Sequence, residues 1–357
     1  MMFSRSRAFC SVALFLVFAP LSTADAFERE PDRAMWRFEF DNDVTSNSDD
    51  AYSGGWSLQR HGPASETWEE LDRNRFSLFV ARSIPGLGDD GGGGRVVRTG
   101  LGLSQIIQTP VDITNPEPQP ADVPWAGVLG VHWTWSAMDN RRLNAFQVFV
   151  GCMGPCSGAE QVQRFVHEDL GMGDPPLGWD HQLDNTALLN FNYVARRKLL
   201  APLLDRYESP RFNGDVSVGG QVGLGNFFRL ADIQLEARFG WSLPPGFTHI
   251  PDPPGRGVML DASPCLQPKR WAFYVSVVPR VVYFEHVATL DGGDTANGGH
   301  HPGIDFERTH FEVLIGLHLT RGKFALHVTH YLFRGDVFGT STTATLDWTN
   351  LSVQYRF

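Results

Sequence analysis

Apolar and polar residues alternate with period two through much of the chain. Trp36, Phe38 and Phe40 alternate with Arg37, Glu39 and Asp41. Phe311, Val313, Ile315, Leu317 and Leu319 alternate with His310, Glu312, Gly316 and His318, and Phe324, Leu326 and Val328 with Lys323, His327 and Thr329. The chain ends on Leu351, Val353, Tyr355 and Phe357, interleaved with Ser352, Gln354 and Arg356. Segments of about ten residues with one apolar and one polar face are the signature of a transmembrane β-barrel. In water such a face needs a second sheet or helices to cover it, as in a secreted β-sandwich. In lipid the bilayer covers it, and closure of the sheet satisfies the backbone N–H and C=O groups.

The pattern predicts twelve strands: 34–43, 52–61, 98–108, 124–137, 142–151, 187–198, 212–225, 230–241, 270–286, 307–321, 323–333 and 344–357. An even number puts both termini on the periplasmic side. The connections 44–51, 109–123, 152–186, 287–306 and 334–343 then lie at the outer face. Met138 to Arg141 and Arg321-Gly322 read as short periplasmic turns. The periplasmic stretches 62–97 and 242–269 are too long for the short-turn rule. The first contains a strand-like run, Phe76 to Val80, left out of the count because it would spoil the parity. Pro279 is a blemish inside its strand. Trp125, Trp133 and Trp135 share one face of a single strand, as girdle residues do. The terminal phenylalanine with alternating apolar residues before it resembles the assembly signal of bacterial outer-membrane barrels.

Residues 1–26 are expected to be a secretory signal peptide, leaving 27–357 as one barrel domain. Arg5 and Arg7 form a basic start, Ala8 to Ala19 an apolar run, and Ala24-Asp25-Ala26 a small-x-small cleavage site. No run of 18 apolar residues follows, so a helical membrane protein is excluded. A net charge of −10, with only 20% charged residues, argues against nucleic-acid binding. Cys10 leaves with the signal, and Cys152, Cys156 and Cys265 remain; Cys152 and Cys156 are close enough in sequence to pair. Without a CxxC pair, neither a zinc site nor a redox role is indicated.

The outer connections carry the unusual chemistry. Asp41 to Asp50 holds four carboxylates and two amides, a hard-oxygen cluster suited to calcium. It is not an EF-hand, since Ser46 stands where the loop glycine belongs and Tyr52 where the bidentate glutamate belongs. Composition alone also suits a solvated acidic loop. The third outer connection runs through Gly154-Pro155-Cys156-Ser157-Gly158 into a short amphipathic helix expected over 158–170. There Val162, Phe165 and Val166 share a face and His167 sits near the end.

These residues carry a family resemblance. Asn42-Asp43, Tyr52-Ser53-Gly54-Gly55, Thr109-Pro110, Pro124-Trp125-Ala126-Gly127, Gly154-Pro155, Gln161-Val162-Gln163, His167 and Gly178 to Leu183 occur in that order. Gly225 to Phe228 and Arg238-Phe239-Gly240 follow. The chain resembles the outer-membrane lipid A deacylases, which remove the 3′-acyloxyacyl chain of lipopolysaccharide, over essentially its whole mature length. The resemblance implies a twelve-stranded antiparallel β-barrel in the bacterial outer membrane, acting as a calcium-dependent esterase on lipid A of the outer leaflet. It places the family's catalytic histidine on His167, its Asn-Asp pair on Asn42 and Asp43, and its hydroxyl residue on Ser53. Known members place a lysine in the second outer loop; here Val111 to Glu117 contains none.

The chemistry expected is hydrolysis without a covalent intermediate, since no GxSxG elbow is present. Neutral His167 is the general base toward water. Ca²⁺ held by Asp43 polarises the ester, Asn42 donates to the developing oxyanion, and Ser53 positions water. Asp180 is a candidate to fix the histidine tautomer. The partners expected are lipopolysaccharide and membrane lipids, with the chain a monomer. The alternatives are an outer-membrane phospholipase with the same ester chemistry and a non-catalytic barrel or pore.

Overall fold

A computed structural model describes residues 27–29, 33–42, 54–71, 74–88, 95–202, 211–263, 266–268, 271–334 and 348–357. Twelve strands close into one barrel: β1 (Met35–Asn42), β2 (Gly54–His61), β3 (Val96–Gln108), β4 (Ala126–Met138), β5 (Arg142–Met153) and β6 (Thr186–Leu200). They continue with β7 (Phe212–Gly225), β8 (Phe228–Trp241), β9 (Ala272–Val287), β10 (Thr309–Arg321), β11 (Phe324–Arg334) and β12 (Trp348–Arg356). Each pairs antiparallel with its neighbours in sequence, and β12 closes on β1 through pairs such as Leu351 with Phe40. All twelve expected strands are present. Pro279 pairs with Val313 of β10, while the ladder to β8 passes from Val277–Ala237 to Arg280–Gln234. The interruption falls at the residue that has no N–H to give.

The barrel is the reverse of a water-soluble protein. Trp36, Phe38 and Phe40 are exposed on the outer wall while Arg37, Glu39 and Asp41 are buried inside. β1 begins and β12 ends at the end that carries the tight turns around Asp139 and Gly322, which is the periplasmic end in such barrels.

The described parts of the two long periplasmic stretches are structured. Residues 242–262 fold into the lumen and are buried along their length. This segment is irregular, so its backbone carbonyls need partners from the wall. Arg37 donates to Leu260 O at 2.9 Å, Gln147 to Gly257 O at 2.8 Å, Arg196 to Thr248 O at 2.9 Å and Tyr331 to Pro251 O at 2.7 Å. Arg280 bridges Asp252 of the plug and Glu312 of β10, at 2.7 and 2.5 Å, and Glu312 also holds Arg256 at 2.6 Å. The charged inner face of the strands is thus the binding surface for a plug.

The other stretch forms α1 (Trp68–Leu71) and α2 (Arg75–Ser83). The strand-like Phe76–Val80 run is therefore helical. Asn74 caps it by accepting from Phe76 N at 3.0 Å. The girdle reading of the tryptophans is corrected by this helix. Trp135 is completely covered by it, with its Nε1 donating to Ser77 Oγ at 2.8 Å, and Trp125 is buried at the opposite rim.

Candidate active site

The candidate site is built on the outside of the wall. Along β3 and β4 the even positions, Arg98, Ser104, His132 and Thr134, are buried in the lumen, while Leu101, Leu103 and Val131 are exposed. Gly127 belongs to the outward set. A Cβ there would lie 2.2 Å from Ser157 Oγ and 2.3 Å from Ala159 Cβ. The turn Pro155–Ser157 and helix α3 (Ala159–Arg164) therefore rest on the outer wall at the outer rim. Gln105, also on that face, donates to Ser157 O at 2.8 Å and accepts from Trp56 Nε1 at 2.9 Å. The Cys152–Cys156 disulfide closes the base of the turn. Gly154 has φ of 100°, and a Cβ there would meet Leu183 O at 2.7 Å. The glycines of the motifs are thus positions of close backbone approach.

Under α3, Ile113, Trp125 and Trp179 cluster with its Ala159, the two indole rings 5.0 Å apart. Trp179 donates from Nε1 to Gln163 Oε1 at 2.7 Å. The helix faces otherwise than its periodicity predicts. Ala159 and Gln163 point inward, and Phe165, one of the three residues expected to share the apolar face, is 53% exposed. The wall approaches so closely at Gly127 that only small or flat side chains fit beneath. After Arg164 the helix widens into a π turn, Phe165–Asp169, a geometry frequent at functional sites.

His167 stands on that turn, partly exposed, with Nδ1 2.7 Å from the carbonyl oxygen of Asp174. A carbonyl only accepts, so Nδ1 carries the proton in this contact and the neutral ring keeps its lone pair on Nε2. The tautomer is set by this backbone oxygen, not by Asp180, which lies on the turn Trp179–His181. Gly173 packs against the ring; a Cβ there would come within 2.6 Å of Nδ1. Sequence reasoning missed Gly173 and Asp174, because a main-chain acceptor leaves no mark in residue type. Phe165, Leu170, Met172 and Leu177 are exposed on the same turn and the loop after it, forming an apolar rim.

Asn42 ends β1, its backbone paired with Thr349. Two residues earlier Phe40 pairs with Trp56, whose bond to Gln105 leads to the base of α3. The ladder thus joins the end of β1 to the α3 turn through two neighbouring strands. Asp43 and Ser53 lie outside the described residues. Among the described residues no three His, Cys, Asp or Glu side chains gather in a metal-holding cluster. The oxygen-rich run expected from the sequence to suit a hard cation continues beyond Asn42 into 43–50, which also lie outside the described residues.

The outer connection 287–306 closes over this side. Asn297 and His181 Nδ1 are 2.7 Å apart, and Asp184 N donates to Asp294 O at 2.8 Å. His301 directs Nε2 to Gln119 O and accepts at Nδ1 from Gly303 N at 3.1 Å. Its burial lowers its pKa more than the Gln119 carbonyl raises it, so it serves as a neutral loop strut. His318 and His327 are buried in the lumen.

The family model described as outer membrane protein LpxR matches residues 9–357. Among solved structures, LpxR from Salmonella typhimurium is similar at a TM-score of 0.66, with 14% identity, 90% of this chain and 100% of that chain covered. The beta domain of the Bordetella autotransporter BrkA follows at a TM-score of 0.39 and 10% identity, covering 92% of this chain and 100% of that one. No curated protein matches by sequence.

Proposed function

The chain belongs to the family of outer membrane protein LpxR, and we propose that it hydrolyses an acyl ester of lipid A, the 3′-acyloxyacyl linkage, from the membrane side of its rim. The observation that carries this reading is the His167 imidazole, oriented by Asp174 O and presented beside exposed apolar side chains on the outer-leaflet wall. A substrate whose ester lies at the membrane interface reaches such a site laterally.

In this reading His167 Nε2 takes a proton from water as the oxygen adds to the ester carbonyl carbon. The tetrahedral centre collapses, and the departing alkoxide takes that proton from the imidazolium. Asp174 O stabilises the imidazolium through Nδ1–H. Asn42 donates to the oxyanion and Ser53 orients the water. Asp43 would hold calcium, which when bound would supply positive charge toward the ester carbonyl. General-base catalysis contributes about 10²–10⁴-fold, which is the loss expected for His167→Ala.

The test is mass spectrometry of lipid A from cells expressing the chain, with and without Ca²⁺. Loss of an acyloxyacyl mass with the metal, absent from His167→Ala, is the expected result. Deacylation by that variant overturns the mechanism, and fatty-acid release from glycerophospholipids instead of lipid A overturns the substrate.

A further inference from the structure

The outer wall of β3–β5 carries helices at both ends of its lipid-facing band. Gly127, under α3, and Trp135, under α2, lie on the same strand, about 26 Å apart along it at ~3.3 Å per residue. At a strand tilt of about 40° that spans about 20 Å of membrane thickness. Between them Leu101, Val131 and Val150 are exposed. Helix α2 therefore marks the periplasmic edge of the band.

This helix has two faces. Ser77, Val80 and Ala81 are buried in a cluster with Val97, Trp135 and Ala137. Phe76 and Phe79 are exposed, Phe79 by 66%, and Arg75 and Arg82 share that side. Arg82 is held to Glu69 of α1 at 2.9 Å. The Phe76 ring lies 5.7 Å from that of Trp133, so the apolar face runs onto the wall and on to Val131. An aromatic face bracketed by arginines is the composition of a helix lying in the membrane interface. The arginine stems can lie along the apolar surface with their heads at phosphate level.

We propose that α2 is an interfacial lipid-binding helix, with Phe76 and Phe79 seated between phospholipid acyl chains of the periplasmic leaflet and Arg75 and Arg82 beside the phosphates. Phospholipid is the occupant because the patch continues the lipid-facing wall and ends where the band ends.

The test replaces Phe79 with the photoreactive p-benzoylphenylalanine in the full chain in native outer membranes, with position 131 as the wall control. Irradiation should give an adduct of phospholipid mass at position 79. A lipid A adduct there, a crosslink to a protein or second copy, or no lipid adduct where position 131 gives one, overturns the proposal. Phe79→Cys carrying a nitroxide, in a Cys265→Ser background in phospholipid vesicles, gives a second reading. Its label should be reached by oxygen more readily than by an aqueous nickel chelate, and the reverse order overturns the proposal.

Discussion

Trp179 Nε1 donates to Gln163 Oε1 at 2.7 Å, with both side chains buried between α3 and the barrel wall. This bond pins the rim helix to the turn Trp179–His181. Gln163→Leu leaves the indole N–H buried without an acceptor, at a cost of about 1–3 kcal/mol. The loss falls on the rim segment, because the barrel ladders are untouched. Amide hydrogen exchange should accelerate across 159–181 while the barrel keeps its heat-modifiable migration. Unchanged exchange in that segment would mean the bond contributes nothing to its order.

Gly173 sets the position of the imidazole. An added Cβ would stand 2.6 Å from His167 Nδ1, too close for the ring to stay against Asp174 O. Gly173→Ala should therefore reduce lipid A deacylation by about tenfold or more, since a misplaced base loses most of its general-base contribution. The chain's folding yield should match wild type. Full activity would show that the Asp174 contact does not prepare the ring.

The strands were readable because one period governs both their faces, and each alternation carries its own check in the next residue. The helix over Phe76–Val80 was not, because five residues of mixed small and apolar type fit either period until Asn74 is seen to cap them. The lumen plug was hidden for a different reason. Residues 242–262 carry little periodicity, and their burial depends on wall arginines distant in sequence, such as Arg37 to Leu260 O. At the site His167 was marked by its type and motif. Its orienting group was a carbonyl, which every residue possesses. The face of α3 was misassigned because Gly127, on another strand, decides what fits beneath it.

Gly127 offers a direct probe of that docking. A valine there drives its side chain into Ser157 and Ala159, which already occupy the space of a Cβ. Overpacking of this kind costs about 1–3 kcal/mol. Gly127→Val should lift the α3 turn from the wall, so that protease cuts within 155–177 appear before any cut in the strands. A protected turn in this variant would show that α3 is held by contacts elsewhere.

Asp43 is the proposed calcium ligand, and its charge is the property to test. Removing one carboxylate charge from a calcium site weakens affinity, so Asp43→Asn should need about tenfold or more calcium for half-maximal deacylation. The same activity should be recovered at saturating metal. Calcium dependence identical to wild type would remove Asp43 from the site.

The plug separates an enzyme scaffold from a channel. Arg280 joins Asp252 to Glu312, and Glu312 also holds Arg256, so the buried charges of plug and wall neutralise each other. Breaking such a pair from one side leaves an uncompensated buried charge, at about 3–5 kcal/mol. Asp252→Ala should therefore lower the urea midpoint of unfolding. A filled lumen passes no steady current, so the wild-type chain in a planar bilayer should be silent. Replacing 244–262 by a short glycine-serine linker takes away the plug carbonyls that Arg37, Gln147 and Arg196 hold and leaves a charged, hydrated lumen. That variant should conduct. Its deacylation should persist, because α3 and His167 stand on the outside of the wall. Steady conductance by the wild-type chain would reinstate the pore reading, and loss of deacylation with the plug alone would tie the rim site to the lumen.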